Sequence, residues 1–383
     1  MSAGSRRDGG IAAAYVGFLL TGTATVILGP FVRVLADETG RAATTFSILF
    51  LVQFAGHSLG AIVSSGNVRR SFLYGYPLAA AGLFALRFGW PAALPAVAVM
   101  GFGLGLVIPA TNILVAERNP TRRAAALSHV NLLWGAGAIG APLVFAILRP
   151  SGHVREAPVL LALLVGAVAL RLATSPPSAP IRADAGAARP ISWAVLAAFA
   201  AQMFLYTGAE SAVGGWIISL TGEHVGASSV VPEIVGMSFW LAMLVGRGGA
   251  PSVLARLSER ALHRAGLAAA ALATGLILVS YAPVGLGAGT VLCGLAFAPI
   301  FPILAAGLVA YTAATQPRAA GPVFAIAGFG AGAGPWLAGQ VAARAGSVRA
   351  ALFVPLVAIV LMALLQGRDR AALASAEPAV GGP

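Results

Sequence analysis

About twelve stretches of roughly 20 mainly apolar residues follow one another along this chain, each long enough to cross the hydrocarbon of a bilayer as a helix. They lie near 11–35, 42–66, 72–90, 92–116, 124–148, 157–174, 192–220, 227–250, 265–282, 284–311, 319–343 and 347–366. Little is left over to face water. Charged residues make up 9% of the 383, whereas a soluble domain carries about 25%. A water-facing globule of this size is excluded, and with it a soluble enzyme or a nucleic-acid binder, despite the net charge of +12. The 58% hydrophobic content equally excludes disorder, whose signature is low hydrophobicity. The first apolar stretch, after Met1–Gly10, is too long for a signal peptide and lacks a small-residue cleavage site, so it is expected to stay as a span.

All 24 basic residues are arginine. With the N-terminus cytoplasmic, 17 of them fall on inner segments, among them Arg6, Arg69, Arg118, Arg182, Arg247 and Arg318. The outer segments hold 7: Arg33, Arg41, Arg87, Arg149, Arg155, Arg344 and Arg349. This is the asymmetry of the positive-inside rule. Counted with the acids, the excess is +11 inside and +2 outside, with one negative charge, Glu210, left within the membrane. The expected fold is an all-α membrane protein of twelve transmembrane helices, multi-pass in the cell (inner) membrane, with both termini cytoplasmic. Cys293 is the sole cysteine and lies in an apolar span, so no intrachain disulfide forms.

The longest polar interruption, at 175–191, divides the chain after its sixth stretch. A repeat supports the division. Arg123-Ala124-Ala125, followed after nine residues by Gly135-Ala136-Gly137-Ala138, recurs as Arg318-Ala319-Ala320 and Gly330-Ala331-Gly332-Ala333, at an offset of 195. The reading is an N-terminal six-helix half at 1–174, a cytoplasmic linker at 175–191, a C-terminal six-helix half at 192–366 and a cytoplasmic tail at 367–383. Parallel repeats of this kind suit a transporter whose halves rock about a central site.

Polar groups inside the spans mark where such a site lies, because they are costly unless they face a cavity or a partner. Glu210 is the one carboxylate well inside a predicted span, and Gln202, Tyr206 and Glu210 follow at i, i+4 and i+8 on one helix face. Amide, phenol and carboxylate together offer donors and acceptors to a hydroxylated ligand. The carboxylate could also hold a coupling cation or proton; the plain alternative is a structural pair with an arginine such as Arg33. Further candidates are Gln53 and His57, again at i and i+4, with Asn112, Asn131, Trp134 and Trp336. The tryptophans could stack on sugar rings, or they could anchor at the interface and pack between helices. The absence of lysine leaves no phosphate-binding Gly-x-x-x-x-Gly-Lys run, and no Cys/His cluster has metal spacing. Neither an enzyme activity nor a cofactor is expected.

Four stretches resemble the major facilitator superfamily and, within it, the fucose–galactose–glucose:proton symporter family. Gly208-Ala209-Glu210 followed by Gly214-Gly215-Trp216 is similar to the family's seventh-helix pattern, and Leu127-Ser128-His129-Val130-Asn131 leading into Gly135 resembles its fifth helix. Ile300-Phe301-Pro302 and the run from Gly328 to Pro335 resemble its tenth and eleventh. The resemblance implies a cavity surrounded by spans 1, 2, 4, 5, 7, 8, 10 and 11. Two departures stand out. Gly66-Asn67-Val68-Arg69-Arg70 lacks the acid usual in the superfamily's loop between helices 2 and 3. Spans 1 and 4 lack the interior carboxylates of fucose permease-like members, which leaves Glu210 as the coupling residue. The expected function is secondary transport of a small hydroxylated solute, a monosaccharide or sugar-like metabolite, with proton or sodium as coupling ion, lipid as surroundings and a monomer as working unit. An exporter of drugs or natural products and a non-transporting receptor are the competing readings.

Overall fold

The computed structural model describes residues 3–64, 67–119, 123–174, 191–225, 228–314 and 319–376. They are helical nearly throughout. Before residue 175 come α1 (Ala3–Val26), α2 (Leu28–Thr39), α3 (Ile48–Val63), α4 (Val68–Ala85), α5 (Ala93–Arg118), α6 (Arg123–Leu148) and α7 (Glu156–Thr174). After residue 190 come α8 (Trp193–Gly222), α9 (Val231–Leu254), α10 (Glu259–Val279), α11 (Pro283–Phe297), α12 (Ile300–Ala314), α13 (Ala320–Ala345) and α14 (Phe353–Ala376). Short connections make successive long helices antiparallel. The bundle therefore has a linker end, where α7 stops and α8 starts, and a far end, where α2, α6 and α8 stop and α9 starts.

Two spans are broken, each at or beside a proline, although Pro77, Pro109, Pro142, Pro251 and Pro335 lie inside unbroken helices. A proline lacks an N–H and its ring crowds the carbonyl four residues earlier. Pro30 stands four residues after Val26, where α1 gives way to α2 with a bend of 42°. Pro299 lies in the break between α11 and α12, and Pro302 in the first turn of α12.

Among the described residues, seven helical stretches are long and apolar enough to cross a membrane, and the bent pair α1–α2 makes an eighth. The chain is thus a multi-pass membrane protein. The stretches expected at 72–90, 192–220, 227–250 and 319–343 are helical as α4, α8, α9 and α13, yet they are not among those eight. Their composition is the reason. α8 carries Gln202, Thr207 and Glu210, α9 carries Glu233 and Arg247, and α13 is interrupted by Gly328, Gly330, Gly332 and Gly334.

The packing of the two groups of helices follows one pattern twice. α1 packs on α6 as α8 packs on α13; α3 on α5 as α9 on α11; α4 on α5 as α10 on α11; α4 on α7 as α10 on α14. Across the groups, α3 meets α13 and α6 meets α9. These two contacts also exchange under the repeat, in which α6 corresponds to α13 and α3 to α9. Lipid gives apolar helices no reason to associate with one another, so close approach of small residues does the joining. A methyl group on Gly105 of α5 would collide with the His57 carbonyl of α3, and one on Gly334 of α13 would meet the Gly208 backbone of α8.

Candidate functional site

The site begins with two helices that face each other by sequence necessity. A short connection folds α9 back on α8, and each carries one charged residue in its middle or inner part. Glu210 of α8 and Arg247 of α9 form an ion pair, Nη2 to Oε1 at 3.2 Å. The Glu210 side chain is 10% exposed and that of Arg247 17%. Tyr206, one turn before Glu210, is fully buried and donates its hydroxyl to the Phe297 carbonyl at 3.2 Å. The same hydroxyl lies close enough to both members of the pair to interact with them electrostatically. Nε of Arg247 is buried and has no acceptor.

Arg247 lies within α9, not on a cytoplasmic segment where the charge count placed it. Moving it leaves an inner excess of +10 and no net charge within the bundle from this pair. Nor is Arg33 the partner of Glu210. The sequence did carry a signal for Arg247: Trp240, Leu244 and Arg247 follow at helical spacing, on one face of an otherwise apolar run. That face turns toward α6, where Trp240 meets Trp134 edge-on at 6.2 Å and Leu244 packs beside Gly135.

The remaining predicted residues divide by what they touch. Trp134 is half-buried at this seam, and Asn131 lies one turn nearer the linker end, exposed, its amide donating to the Leu127 carbonyl at 2.8 Å. Asn112 of α5 is half-buried and donates to the Ile108 carbonyl at 3.1 Å. His57 of α3 is half-buried with its ring 5.9 Å from that of Phe54. Gln53 is buried and donates to the Thr25 carbonyl at 2.9 Å, beside the break between α1 and α2. Trp336 is half-buried on α13, after Pro335, whose carbonyl accepts the Trp216 indole N–H at 2.8 Å. Gln202 is buried and turns to α14, donating to the Met362 carbonyl at 3.3 Å. The structure therefore joins Tyr206 and Glu210 directly and sets Gln202 against a different neighbour.

At the far end a second charged cluster spans both groups of helices. Glu233, in the first turn of α9, is wholly buried. Arg33 of α2 meets its Oε2 at 3.0 Å, and Arg149, just after α6, meets its Oε1 at 2.6 Å. Asp37 adds a second carboxylate, 3.4 Å from Arg149 and 4.0 Å from Arg33. Arg33 also donates to the Ser229 carbonyl at 3.3 Å. Sequence placed these residues on outer segments but carried no sign of their meeting, since 200 residues separate Arg33 from Glu233.

A family model for the Major Facilitator Superfamily matches residues 14–306. The chain belongs to the Major Facilitator Superfamily. It is a transporter of that superfamily, whose members carry small-molecule solutes, often with coupled ions. No curated protein matches it in sequence. Among solved structures it is similar to the E. coli fucose:proton symporter FucP, at 17% identity over 94% of this chain and 98% of that one, with a TM-score of 0.63. It is also similar to a bacterial homologue of the human lysosomal transporter Spinster in an inward-facing, unoccupied conformation, at 13% identity, 96% and 98% coverage and a TM-score of 0.74. A transporter of the POT family in complex with 5-aminolevulinic acid gives 13% identity, 94% and 96% coverage and a TM-score of 0.71. At these identities the likeness is one of fold. Among the described residues no cluster of His, Cys, Asp or Glu could hold a metal ion.

Proposed function

We propose that the chain is a secondary transporter that moves a small hydroxylated solute, such as a monosaccharide or sugar-like metabolite, by alternating access. One observation carries the reading: a buried carboxylate, an arginine and a phenol, Glu210, Arg247 and Tyr206, meet on α8 and α9 beside the seam with α6. To the same solute path we assign Gln53, His57, Asn112, Asn131, Trp134, Gln202 and Trp336 as further polar and aromatic groups. Glu210 acts as the coupling group, exchanging its arginine for a proton or a sodium ion. The resemblance to fucose permease-like members and the likeness in fold to a fucose:proton symporter both favour a sugar-like solute.

The architecture we assign is twelve spans in two six-helix halves, 1–174 and 192–366, joined by a cytoplasmic linker. The linker lies outside the described residues but for Ile191, as do 377–383 of the tail, whereas α14 continues past 366 to Ala376. The arginine bias puts the linker end in the cytoplasm and the far end outside. In that orientation the cluster of Arg33, Arg149, Asp37 and Glu233 closes the outer side of the bundle. An exporter of amphipathic cations would need an acid without a counter-charge in its cavity; Arg247 supplies that counter-charge here.

The test is counterflow and coupled uptake in proteoliposomes with a panel of labelled sugars. Glu210→Gln is expected to lower coupled uptake at least tenfold and to flatten its dependence on pH or sodium. Unchanged coupled transport in that variant would remove Glu210 from the mechanism.

A further inference from the structure

Arg247 poses an electrostatic problem that Glu210 alone cannot solve through a transport cycle. A guanidinium taken out of water is tolerable only when an anion balances it. In the structure that anion is Glu210, bonded to Nη2. The charged and titratable groups acting on Glu210 are Arg247, from α9, and Tyr206, from its own helix. Arg33 and Arg149 are committed to Glu233 and Asp37 at the far end. When Glu210 takes up a proton, its negative charge is lost and Arg247 stays positive, because a guanidinium does not give up its proton in a protein. A neutral sugar arriving at that moment would leave a buried cation uncompensated. A carboxylate arriving instead would restore the balance.

We infer that the transported solute carries a carboxylate, held by Arg247, and is thus a hydroxylated acid of the sugar-acid class rather than a neutral sugar. The inference rests on the reading of the α8–α9 seam as the transport site. Charge closes at each stage: one proton moves onto the Glu210 carboxylate, one solute carboxylate takes its place on Arg247, and proton and anion cross together. Geometry agrees. Nε of Arg247 is a buried donor without an acceptor, and a carboxylate can take two parallel N–H bonds from one guanidinium edge. Tyr206 places a hydroxyl close to the same group. Trp240, on the same face of α9 as Arg247, and Trp134 of α6 pair their rings and offer an apolar wall to the carbon skeleton.

The experiment compares D-glucuronate and D-gluconate with D-glucose on the full chain, by thermal shift in detergent and by counterflow in proteoliposomes. The acids are expected to stabilise the protein and to exchange at least tenfold faster than glucose. Arg247→Gln should abolish that preference. The double variant Glu210→Gln/Arg247→Gln removes both charges, avoids stranding either, and should fold while showing no acid preference. Glu210→Gln alone frees Arg247 of its internal competitor, so its counterflow with glucuronate should half-saturate at a concentration several-fold lower than in the parent. Exchange of glucose as fast as the acids, with Arg247→Gln affecting both alike, would overturn the carboxylate inference and leave a sugar transporter standing. Failure of all three solutes to exchange or stabilise would overturn both readings together.

Discussion

Without the Glu233 carboxylate, Arg33 and Arg149 would face each other in a space that water does not reach. Breaking a buried pair by removing one partner costs ~3–5 kcal/mol, because the remaining charge is stranded. Here two arginines would be left sharing Asp37, a half-exposed carboxylate, in place of the buried one between them. Opening the far end lets them reach water, so Glu233→Gln should shift the molecule toward the state in which that end is open. Ser219 of α8 is buried, and its hydroxyl has no partner, so Ser219→Cys on a Cys293→Ala background is a mild reporter. Maleimide labelling of the introduced thiol is expected to quicken several-fold when Glu233→Gln is added; an unchanged rate would mean the cluster does not hold the far end shut. At this scale the sequence was legible for residues whose meaning lies in their own helix. Glu210 could be found because a carboxylate inside an apolar run is costly wherever its partner is. Glu233 could not, because its burial is created by Arg33 and Arg149, which the chain brings in from two other helices. Arg247 was misplaced because counting arginines by segment treats each one near a span end as facing water.

At the scale of the helix, composition reports both where chain can cross lipid and where helices touch. The apolar stretches all coincide with helices, because a run of apolar residues in lipid must satisfy its own backbone hydrogen bonds. The breaks were not separable in the sequence, because Pro109, Pro142 and Pro335 lie inside unbroken helices while Pro30 and Pro299 stand at breaks. What composition could not give is partner choice: nothing local says that Gly105 packs on α3 while Gly334 packs on α8. That assignment makes a prediction. Gly334→Val places three carbons where the Gly208 backbone already lies, and overpacking costs roughly 1–3 kcal/mol or more when backbone must move. The midpoint of thermal unfolding in detergent should fall by several degrees. By contrast, Gly275→Ala, on a face of α10 with nothing near the added methyl group, should leave it unchanged or slightly raised, since alanine is the better helix former by about 1 kcal/mol. Equal effects of the two substitutions would mean that α8 and α13 are not joined through Gly334.

For the molecule as a whole, the repeated packing pattern means that each group of seven helices makes most of its contacts within itself, and the two meet through α3–α13, α6–α9 and α2–α8. Further ties between the groups are the buried cluster at the far end, the indole of Trp216 beside Phe50, and Gln340 donating to Ser47 at 3.2 Å. None of them runs through the stretch between 174 and 191. If the halves are held by these seams, the covalent link supplies proximity rather than structure, and its effect is one of effective concentration. In a bilayer, where both pieces remain confined to the same plane, that contribution is small. A chain cut by a site-specific protease within 175–190 should therefore keep most of its counterflow activity, and the two fragments should co-purify through a tag on either one. Adding Glu233→Gln to the cut chain removes the strongest tie at the far end. The fragments should then separate more readily in detergent, while the uncut variant stays whole. Loss of activity on cutting alone, with both fragments still folded, would show that the linker carries part of the mechanism. Retained activity would place alternating access in the seams, where the charged cluster at one end and the Glu210–Arg247 pair further in can open and close in turn.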